Sequence, residues 1–254
     1  MSAAETPSSW QRRPNAGAKL PDYAHPPLVQ VRLGVQFDDH VDFTSERQCA
    51  FEQELGPTWQ QLNHSESSST RYWSTRLGDQ GIVFSGNSLS YSWDGHAGDL
   101  YPHYPLVREG FVGVWNAWCK AVSPMTRTIG WRVTYINRIT QGTVWSTLAD
   151  CSFFRWLAPL PDSLPTPTAL QALWRFPLER FDATLTVELD TTLTVEGEGT
   201  DPPRNLYLTL RCTGGIPDPD DTFLAGFDYG REVIVRTFRQ LMQPAANEFW
   251  GLKA

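Results

Sequence analysis

The sequence predicts an α+β protein made of duplicated β-α-β-β-β-α units, in which antiparallel sheets are backed by helices and related by a pseudo-two-fold axis. Three observations support this prediction. Several segments alternate apolar and polar residues, as half-buried strands do. Amphipathic stripes of helical period separate these segments. The same order of elements occurs in both halves of the 254-residue chain, whose 41% apolar content is enough to bury a large core.

Three regions follow from this pattern. Residues 1–24 are rich in Pro, Ser, Ala and Gly and are predicted to form a mobile arm. Residues 25–124 and 125–254 are the two predicted α+β units. The chain shows no apolar stretch typical of a secretory signal or a membrane span, so we expect a cytoplasmic, soluble protein without membrane contact.

The first unit opens with alternating residues at 28–37, which predict a strand. Ser45 and Gln48 form a capping box, so a helix is predicted to begin there and to continue to Leu62, with a kink at Gly56-Pro57. The elements predicted next are short strands near 70–77, 81–86 and 88–94 and a helix over 103–122.

The second unit repeats this order. Its predicted elements are a long strand at 127–140, a short helix within 143–157, and strands near 169–177, 182–196 and 204–213. Asp218-Pro219-Asp220-Asp221 predicts the start of the last helix, because Asp caps helices, Pro suits the first turn and acidic residues favour the positive end of the dipole. That helix is predicted to end near Met242, and a ligand groove is expected between the units.

Several classes of function are disfavoured by composition and spacing. The net charge is -7 and no basic block is present, which argues against a protein that tracks nucleic-acid phosphates. No two histidines have the spacing of a metal site, no Gly-rich loop joins a strand to a helix, and no nucleophile elbow is found. No metal or cofactor is therefore expected. The four cysteines are expected to be free thiols: Cys49, Cys119, Cys151 and Cys212.

The strand at mid-chain carries the first candidate site residues. Its alternation places Arg132 and Arg138 on one face, and Tyr135 and Asn137 on the other. Two arginines on one face could bind a carboxylate or a peptide backbone. They could equally pair with an acidic residue of a covering helix, such as Glu232, and the sequence leaves both possibilities open.

Other candidates come from residues that break a pattern. Arg231 falls on the buried stripe of the last helix, where its charge needs a partner unless the side chain reaches solvent at the edge of the stripe. Trp73, Trp93, Trp145 and Tyr135 could stack on a bound aromatic side chain, or they could belong to the core.

Three segments together resemble a sporadically distributed bacterial family of proteins of similar length, which includes the peptide-binding proteins of crocagin biosynthesis. Crocagin is a ribosomally made and modified peptide natural product. The segments are Pro26-Pro27-Leu28-Val29, Tyr135-Ile136-Asn137-Arg138-Ile139, and the run from Phe238 to Phe249-Trp250-Gly251.

The resemblance implies a protein that binds a precursor peptide, alone or as a homo- or heterodimer with a homologous protein, and assists closure of a pyrroloindoline ring on a tryptophan. Tyr135, Asn137, Arg138 and Trp250-Gly251 match the family pattern. Family members often carry His-Glu where this chain has Arg231-Glu232, so a histidine-based role is not carried over.

The acid and base of such a ring closure are not identified by the sequence, which offers His103, Glu109 and Glu232 as candidates. A peptide is expected to add to an edge strand, with Arg132 or Arg138 holding a carboxylate. The alternative function is a non-enzymatic adaptor or antitoxin-like interaction module of a bacterial defence or regulatory cassette.

Because the sequence shows neither a metal-ligand pattern nor a phosphate-binding loop, we make a first prediction about cofactors. Elemental analysis of the purified protein should find less than one equivalent of any transition metal, and nucleotides should leave its melting temperature unchanged. A stoichiometric, tightly bound metal would contradict this reading.

Overall fold

One antiparallel sheet, with helices against one of its faces, organises the chain and confirms the α+β class. The computed structural model describes residues 19–62, 70–95, 101–122, 127–148, 152–157, 167–191, 204–216 and 222–253. The strands of these residues are β1 (Leu28–Phe37), β2 (Trp59–Gln61), β3 (Thr70–Thr75), β4 (Gln80–Ser85), β5 (Ser88–Asp94), β6 (Thr128–Thr140), β7 (Gln171–Leu178), β8 (Ala183–Asp190) and β9 (Asn205–Gly215). The helices are α1 (Ser45–Leu55), α2 (Tyr104–Ala121), α3 (Phe223–Leu241) and α4 (Pro244–Phe249), with a 3-10 turn at Arg180–Asp182.

The strand order is β2-β3-β4-β5-β1-β6-β9-β8-β7. The long strands β1 and β6 pair at the centre, so strands of both predicted units join one sheet rather than forming separate sheets. Outward from this pair, β5, β4 and β3 follow on one side and β9, β8 and β7 on the other. The order is thus the same on both sides, with β2 as an extra edge strand. Superposition of residues 28–122 on residues 127–242 remains a prediction.

The two faces of the sheet differ in burial. On the face that packs against the helices, Val31, Leu33, Val133 and Leu210 are fully buried. The side chains that alternate with them are mostly polar and partly exposed, for example Arg32, Arg132 and Arg211. This alternation is that of an antiparallel sheet covered on one side. We call the second side the open face.

Helix α1 begins at Ser45 as predicted, but its predicted N-cap and its predicted end were wrong. Thr44, rather than Ser45, is the N-cap, and its hydroxyl accepts a hydrogen bond from the backbone N–H of Arg47. The helix ends at Leu55 because Gly56 adopts φ 79°, a left-handed conformation that favours glycine. Trp59, predicted as helical, lies instead in the short strand β2.

The second unit also departs from the prediction. The described residues within 143–157 form turns and a bridge between Phe154 and Met242, not a helix. Thr222 is the N-cap of α3 and accepts a hydrogen bond from the N–H of Ala225. Asp218-Pro219-Asp220-Asp221, the predicted start of that helix, lies outside the described residues, as does the predicted end of the strand at 182–196.

Close packing of α3 on β6 depends on two glycines. A Cβ built on Gly226 would lie 2.4 Å from Cδ1 of Trp131, and one on Gly230 would lie 2.8 Å from Cζ3 of the same indole. Because an indole held between helix and sheet has little room to move, α3 can approach β6 only where side chains are absent.

This contact generates a prediction about stability. Gly226→Ala should lower the free energy of unfolding by about 1–3 kcal/mol, because the new methyl group overlaps Trp131. Gly113→Ala is the matched control on α2: a Cβ there meets no atom within 4 Å. It should raise stability by up to about 1 kcal/mol through helix propensity. Urea denaturation measures both, and equal effects of the two variants would disprove tight α3–β6 packing.

Candidate functional site

A cavity of about 620 Å³ lies between the sheet and its helices, where the two predicted units meet. Its floor is formed by Leu28 of β1, Tyr135 and Asn137 of β6, and Leu210 of β9. Residues at the start of α2, one side of α3 and the segment 21–26 form its walls. The volume falls within the usual range of small-ligand pockets.

Arg231 supplies a cationic group to this largely apolar cavity. Its guanidinium carbon lies 4.7 Å from the centre of the Tyr104 ring, and its charge acts to lower the pKa of the Tyr135 hydroxyl. Among the described residues, no carboxylate forms an ion pair with Arg231. The charge is therefore stabilised mainly by a cation–π contact, which satisfies it only partly.

Two carboxylates near the cavity form ion pairs with cations other than Arg231. Asp22 lines the wall but binds Lys253, with Oδ2 and Nζ 2.7 Å apart. The Lys253 side chain lowers the pKa of Asp22, mainly by this hydrogen bond. Asp228 accepts hydrogen bonds from the Tyr104 hydroxyl at 2.8 Å and from Arg108 Nε at 3.1 Å. Neither carboxylate neutralises Arg231.

Tyrosine hydroxyls form the remaining polar groups of the cavity. The hydroxyl oxygens of Tyr101 and Tyr135 lie 3.3 Å apart. Burial raises the pKa of Tyr135, and its hydrogen bond with Tyr101 and the charge of Arg231 oppose that rise. Burial also raises the pKa of Tyr101 and of Tyr104, and for Tyr104 the neighbouring Asp228 adds to the effect. At neutral pH these groups are protonated hydrogen-bond donors, not bases.

The two ends of the described chain close one side of the cavity. Residues 22–25 run antiparallel to residues 250–253, with backbone bonds such as Ala24 N–H to Gly251 O at 3.0 Å. Trp250 is buried and packs 5.5 Å from Phe238, which lines the cavity. Gly251 adopts φ 67°, and a Cβ there would lie 2.9 Å from that of Ala24. The Trp250-Gly251 pair thus needs an indole and a glycine for structural reasons.

The three segments that carry the family resemblance converge on this cavity. Pro26 and Leu28 of the first segment line it, as do Tyr135 and Asn137 of the second and Phe238 of the third. The segments also bond to one another, since the N–H of Arg138 donates to Pro27 O at 2.7 Å. Residues distant in sequence therefore build one site.

The predicted site residues lie in three places: the cavity, the core around it and the open face of the sheet. Tyr135, Asn137 and Arg231 meet in the cavity, although the Asn137 side-chain amide donates to Leu208 O at 3.1 Å. Trp93 lies behind the cavity wall, with its ring 5.3 Å from that of Tyr101. Trp73 and Trp145 lie elsewhere in the core, and Trp73 packs against Phe43, Phe51 and the side chain of Glu52.

Arg132 and Arg138 lie on the open face, away from the cavity. Neither pairs with Glu232, which binds Arg236 on its own helix at 2.9 Å. Both arginines belong to β6, at the centre of the sheet. A peptide added beside β7 would lie four strand spacings away, or roughly 19 Å. A carboxylate on the part of a peptide that pairs with the β7 edge would lie out of reach of both arginines, so the expected contact needs a peptide that continues across the open face. Edge-strand binding and the carboxylate contact remain predictions.

Of the three acid–base candidates, His103 lines the cavity, whereas Glu109 and Glu232 do not. His103 precedes α2 with φ 66°, a conformation uncommon outside glycine, and its ring lies 5.8 Å from Tyr101. Tyr23, Tyr101 and Tyr104 were missed as site residues. They lie outside the segments of regular apolar spacing or at the ends of those segments, so the periodicity of the sequence did not indicate that they line a cavity.

Within the described parts of the chain, no group of three or more His, Cys, Asp or Glu side chains could hold a metal ion. Three of the predicted free thiols, Cys49, Cys119 and Cys212, are free, and Cys151 lies outside the described residues. None of the described helices combines the length and the apolar character needed to cross a bilayer.

Neither a protein-family model nor a curated protein matches the chain. Among solved structures, the chain is similar to the TBP of Methanococcus jannaschii, with 11% sequence identity and a TM-score of 0.30. The match covers 84% of this chain and 97% of that chain. At this TM-score the similarity supports no conclusion about function.

The buried tyrosines generate a prediction about pH. Their pKa values are raised in the folded protein, so above the unfolded value of about 10 the unfolded state loses protons that the folded state keeps. Stability should therefore be unaffected by these groups below about pH 9 and fall above pH 10, by up to about 1.4 kcal/mol per pH unit for each tyrosine.

Urea denaturation between neutral and alkaline pH measures how the free energy of unfolding changes with pH. Tyr135→Phe should make this dependence less steep, because one of the contributing tyrosine hydroxyls is removed. Native-state titration of the phenols by ultraviolet absorbance is the control. Ionisation of Tyr101, Tyr104 and Tyr135 at the ordinary tyrosine pKa in the folded protein would show that the cavity is hydrated and open.

Proposed function

We propose that this protein binds a peptide whose carboxylate enters the central cavity and pairs with Arg231. The observation that carries the proposal is the guanidinium of Arg231, which lies in a largely apolar cavity without an acidic partner among the described residues. A carboxylate would complete its bonding in a setting of low dielectric, where a bidentate pair is strong.

The rest of the cavity suits an apolar or aromatic side chain next to that carboxylate. Leu28, Leu210, Ile234 and Phe238 offer apolar surface, and the Tyr101 and Tyr135 hydroxyls offer hydrogen bonds. His103 is exposed at the wall of the cavity and so marks the side open to solvent. A carboxylate anchor with an aromatic pocket describes the C-terminal or acidic end of a peptide better than a sugar or a nucleotide.

The family resemblance adds the identity of the peptide to this proposal. We infer that the ligand is a ribosomal precursor peptide and that the protein assists its maturation, including pyrroloindoline formation at a tryptophan. In that closure a backbone amide nitrogen bonds to indole C2, C3 gains a proton and the amide loses one, so the product has the mass of the substrate. Holding the peptide in the attacking conformation is the main contribution expected of such a site.

Polar groups of the cavity support this proposal. The Tyr101–Tyr135 hydroxyls can donate hydrogen bonds to the folded peptide, and His103, at the exposed wall, can relay a proton between the amide and C3. Glu109 and Glu232 are not needed for this arrangement, because neither lines the cavity.

The carboxylate contact can be tested with one peptide in two forms. A candidate peptide encoded beside the gene is prepared with a C-terminal acid and with a C-terminal amide, and calorimetry measures both. The wild-type protein should bind the acid about 10- to 100-fold more tightly. Arg231→Gln should remove that preference while leaving the melting temperature equal or higher, since it removes a partly unsatisfied charge.

Arg239→Gln is the matched control, because Arg239 lies two turns later on α3, is exposed and does not line the cavity. It should keep the preference for the acid. If Arg231→Gln also keeps it, the carboxylate site is wrongly assigned; peptides with Asp or Glu changed to the amide then test an internal carboxylate. If no peptide from the gene neighbourhood binds, the adaptor or antitoxin-like function replaces this proposal.

A further inference from the structure

The open face of the sheet carries a row of arginines across its strands. The register pairs Arg175 of β7 with Thr186, Thr186 with Arg211 of β9, Arg211 with Thr134, and Thr134 with Arg32 of β1. Neighbouring strands are about 4.8 Å apart, so the arginine backbones in this row follow at intervals of about 10 Å.

Arg132 makes a compact group with two members of this row. It lies two residues before Thr134 on β6, in the next register row, opposite Gly34 of β1. Its two diagonal neighbours across the sheet are therefore Arg32 and Arg211, and the three side chains surround Thr134, which is only 6% exposed. Gly34 is itself buried, and a Cβ built on it would lie 3.1 Å from that of Ser90 on β5. We call Arg32, Arg132 and Arg211 the arginine triad.

The triad lacks counter-charges. Among the described residues, no carboxylate lies within ion-pair distance of any of its three guanidinium groups. Burial lowers the pKa of Arg132, and the positive charges of Arg211 and Arg32 lower it further. Like charges held this close destabilise the sheet unless something binds between them.

Arg32 also carries an unsatisfied donor. Its Nε is buried and has no hydrogen-bond partner within the described structure, while its Nη2 donates to Gln30 Oε1 at 3.2 Å. The Gln30 amide in turn donates to Asp94, whose other oxygen accepts from Ser92 Oγ at 2.6 Å. Asp94 is thus bound through Gln30 and Ser92 and does not neutralise Arg32. A buried polar group without a partner is uncommon in folded proteins, and a bound ion is one of the explanations for it.

Acidic residues flank the triad on both sides, with Asp94 of β5 beyond Arg32 and two residues of β8 beyond Arg211. Glu188 and Asp190 of β8 line a depression of about 650 Å³ together with Arg132, Arg175 and Arg211. Glu188 pairs with Thr209 in the register, one row beyond Arg211, and forms no ion pair with the described arginines. The positive charge is therefore concentrated at the triad, in a protein whose net charge is -7.

We propose that Arg32, Arg132 and Arg211 bind a multiply charged oxyanion on the open face, either a phosphate group or a cluster of carboxylates. The three arginines flank Thr134 on one face of the sheet, and the forked donors of guanidinium groups match both oxyanions. The site is on the opposite side of the sheet from the central cavity and does not depend on the peptide-binding proposal.

Inorganic phosphate and citrate are the two probes, each titrated against the full-length protein at constant ionic strength with sodium chloride. Melting temperature is the measure, because an anion that binds the folded state stabilises it by mass action. At least one probe should raise the melting temperature above the chloride reference. A larger effect of phosphate assigns a phosphate group, and a larger effect of citrate assigns clustered carboxylates.

Arg132→Gln and Arg211→Gln should each raise the apparent Kd of the effective anion about tenfold or more. In chloride alone these variants should melt at the wild-type temperature or above it, because like-charge repulsion is reduced; a purely structural role would lower it. Arg132→Lys keeps the positive charge but loses the bidentate donor geometry of the guanidinium, so it should bind the anion with intermediate affinity. This variant also tests the proposal if a glutamine variant fails to fold.

Arg204→Gln is the matched control, since Arg204 is exposed and lies just before β9, about 24 Å along the strand from Arg211. It should keep the wild-type response. The proposal is overturned if neither anion stabilises beyond chloride, or if the triad variants respond like Arg204→Gln.

Discussion

The antiparallel pairing of β1 with β6 at the centre of the sheet sets the positions of the other strands and of the helices. It joins the two halves of the chain and fixes which side of each central strand meets the helices, with Val31 opposite Tyr135 and Arg32 opposite Thr134. A slip of one residue would exchange the faces, exposing Tyr135 and burying Arg132. Both sites described above exist because this register is held, partly by the bond from Arg138 N–H to Pro27 O.

The cavity follows from how the helices cover that central pair. Gly226 and Gly230 bring the start of α3 close to Trp131, whereas farther along the helix Arg231, Ile234 and Phe238 stand off the sheet. The space between them is closed at one side by residues 22–25 paired with residues 250–253. The glycines near the start of α3 pack tightly on the sheet, and the residues that follow them leave a gap. This gap is the cavity, into which α3 contributes one cationic side chain, Arg231.

Charge is distributed unevenly between the two faces of the sheet. The chain is acidic overall, yet arginines that lack acidic partners in the described structure lie both in the cavity and on the open face. The physical setting of these charges differs between the two places. In the cavity, the low dielectric would strengthen any pair that the single guanidinium of Arg231 forms, whereas the three guanidinium groups of the open face lie in a more hydrated setting.

Local patterns were enough to predict the α+β class, the antiparallel strands and the long helices, because period-two and period-3.6 patterns act within a segment. The strand period also predicts Tyr135 and Asn137 on the face opposite Arg132, as the structure shows. The N-cap of α1 was missed, because Thr44 and not its neighbour Ser45 caps the helix. Strand order and packing, by contrast, are needed to show that Tyr135, Arg231 and His103 share a cavity, that Trp73 belongs to the core, and that Arg32 and Arg211 flank Arg132. These groupings depend on strand order and register, which bring together residues that no local pattern connects.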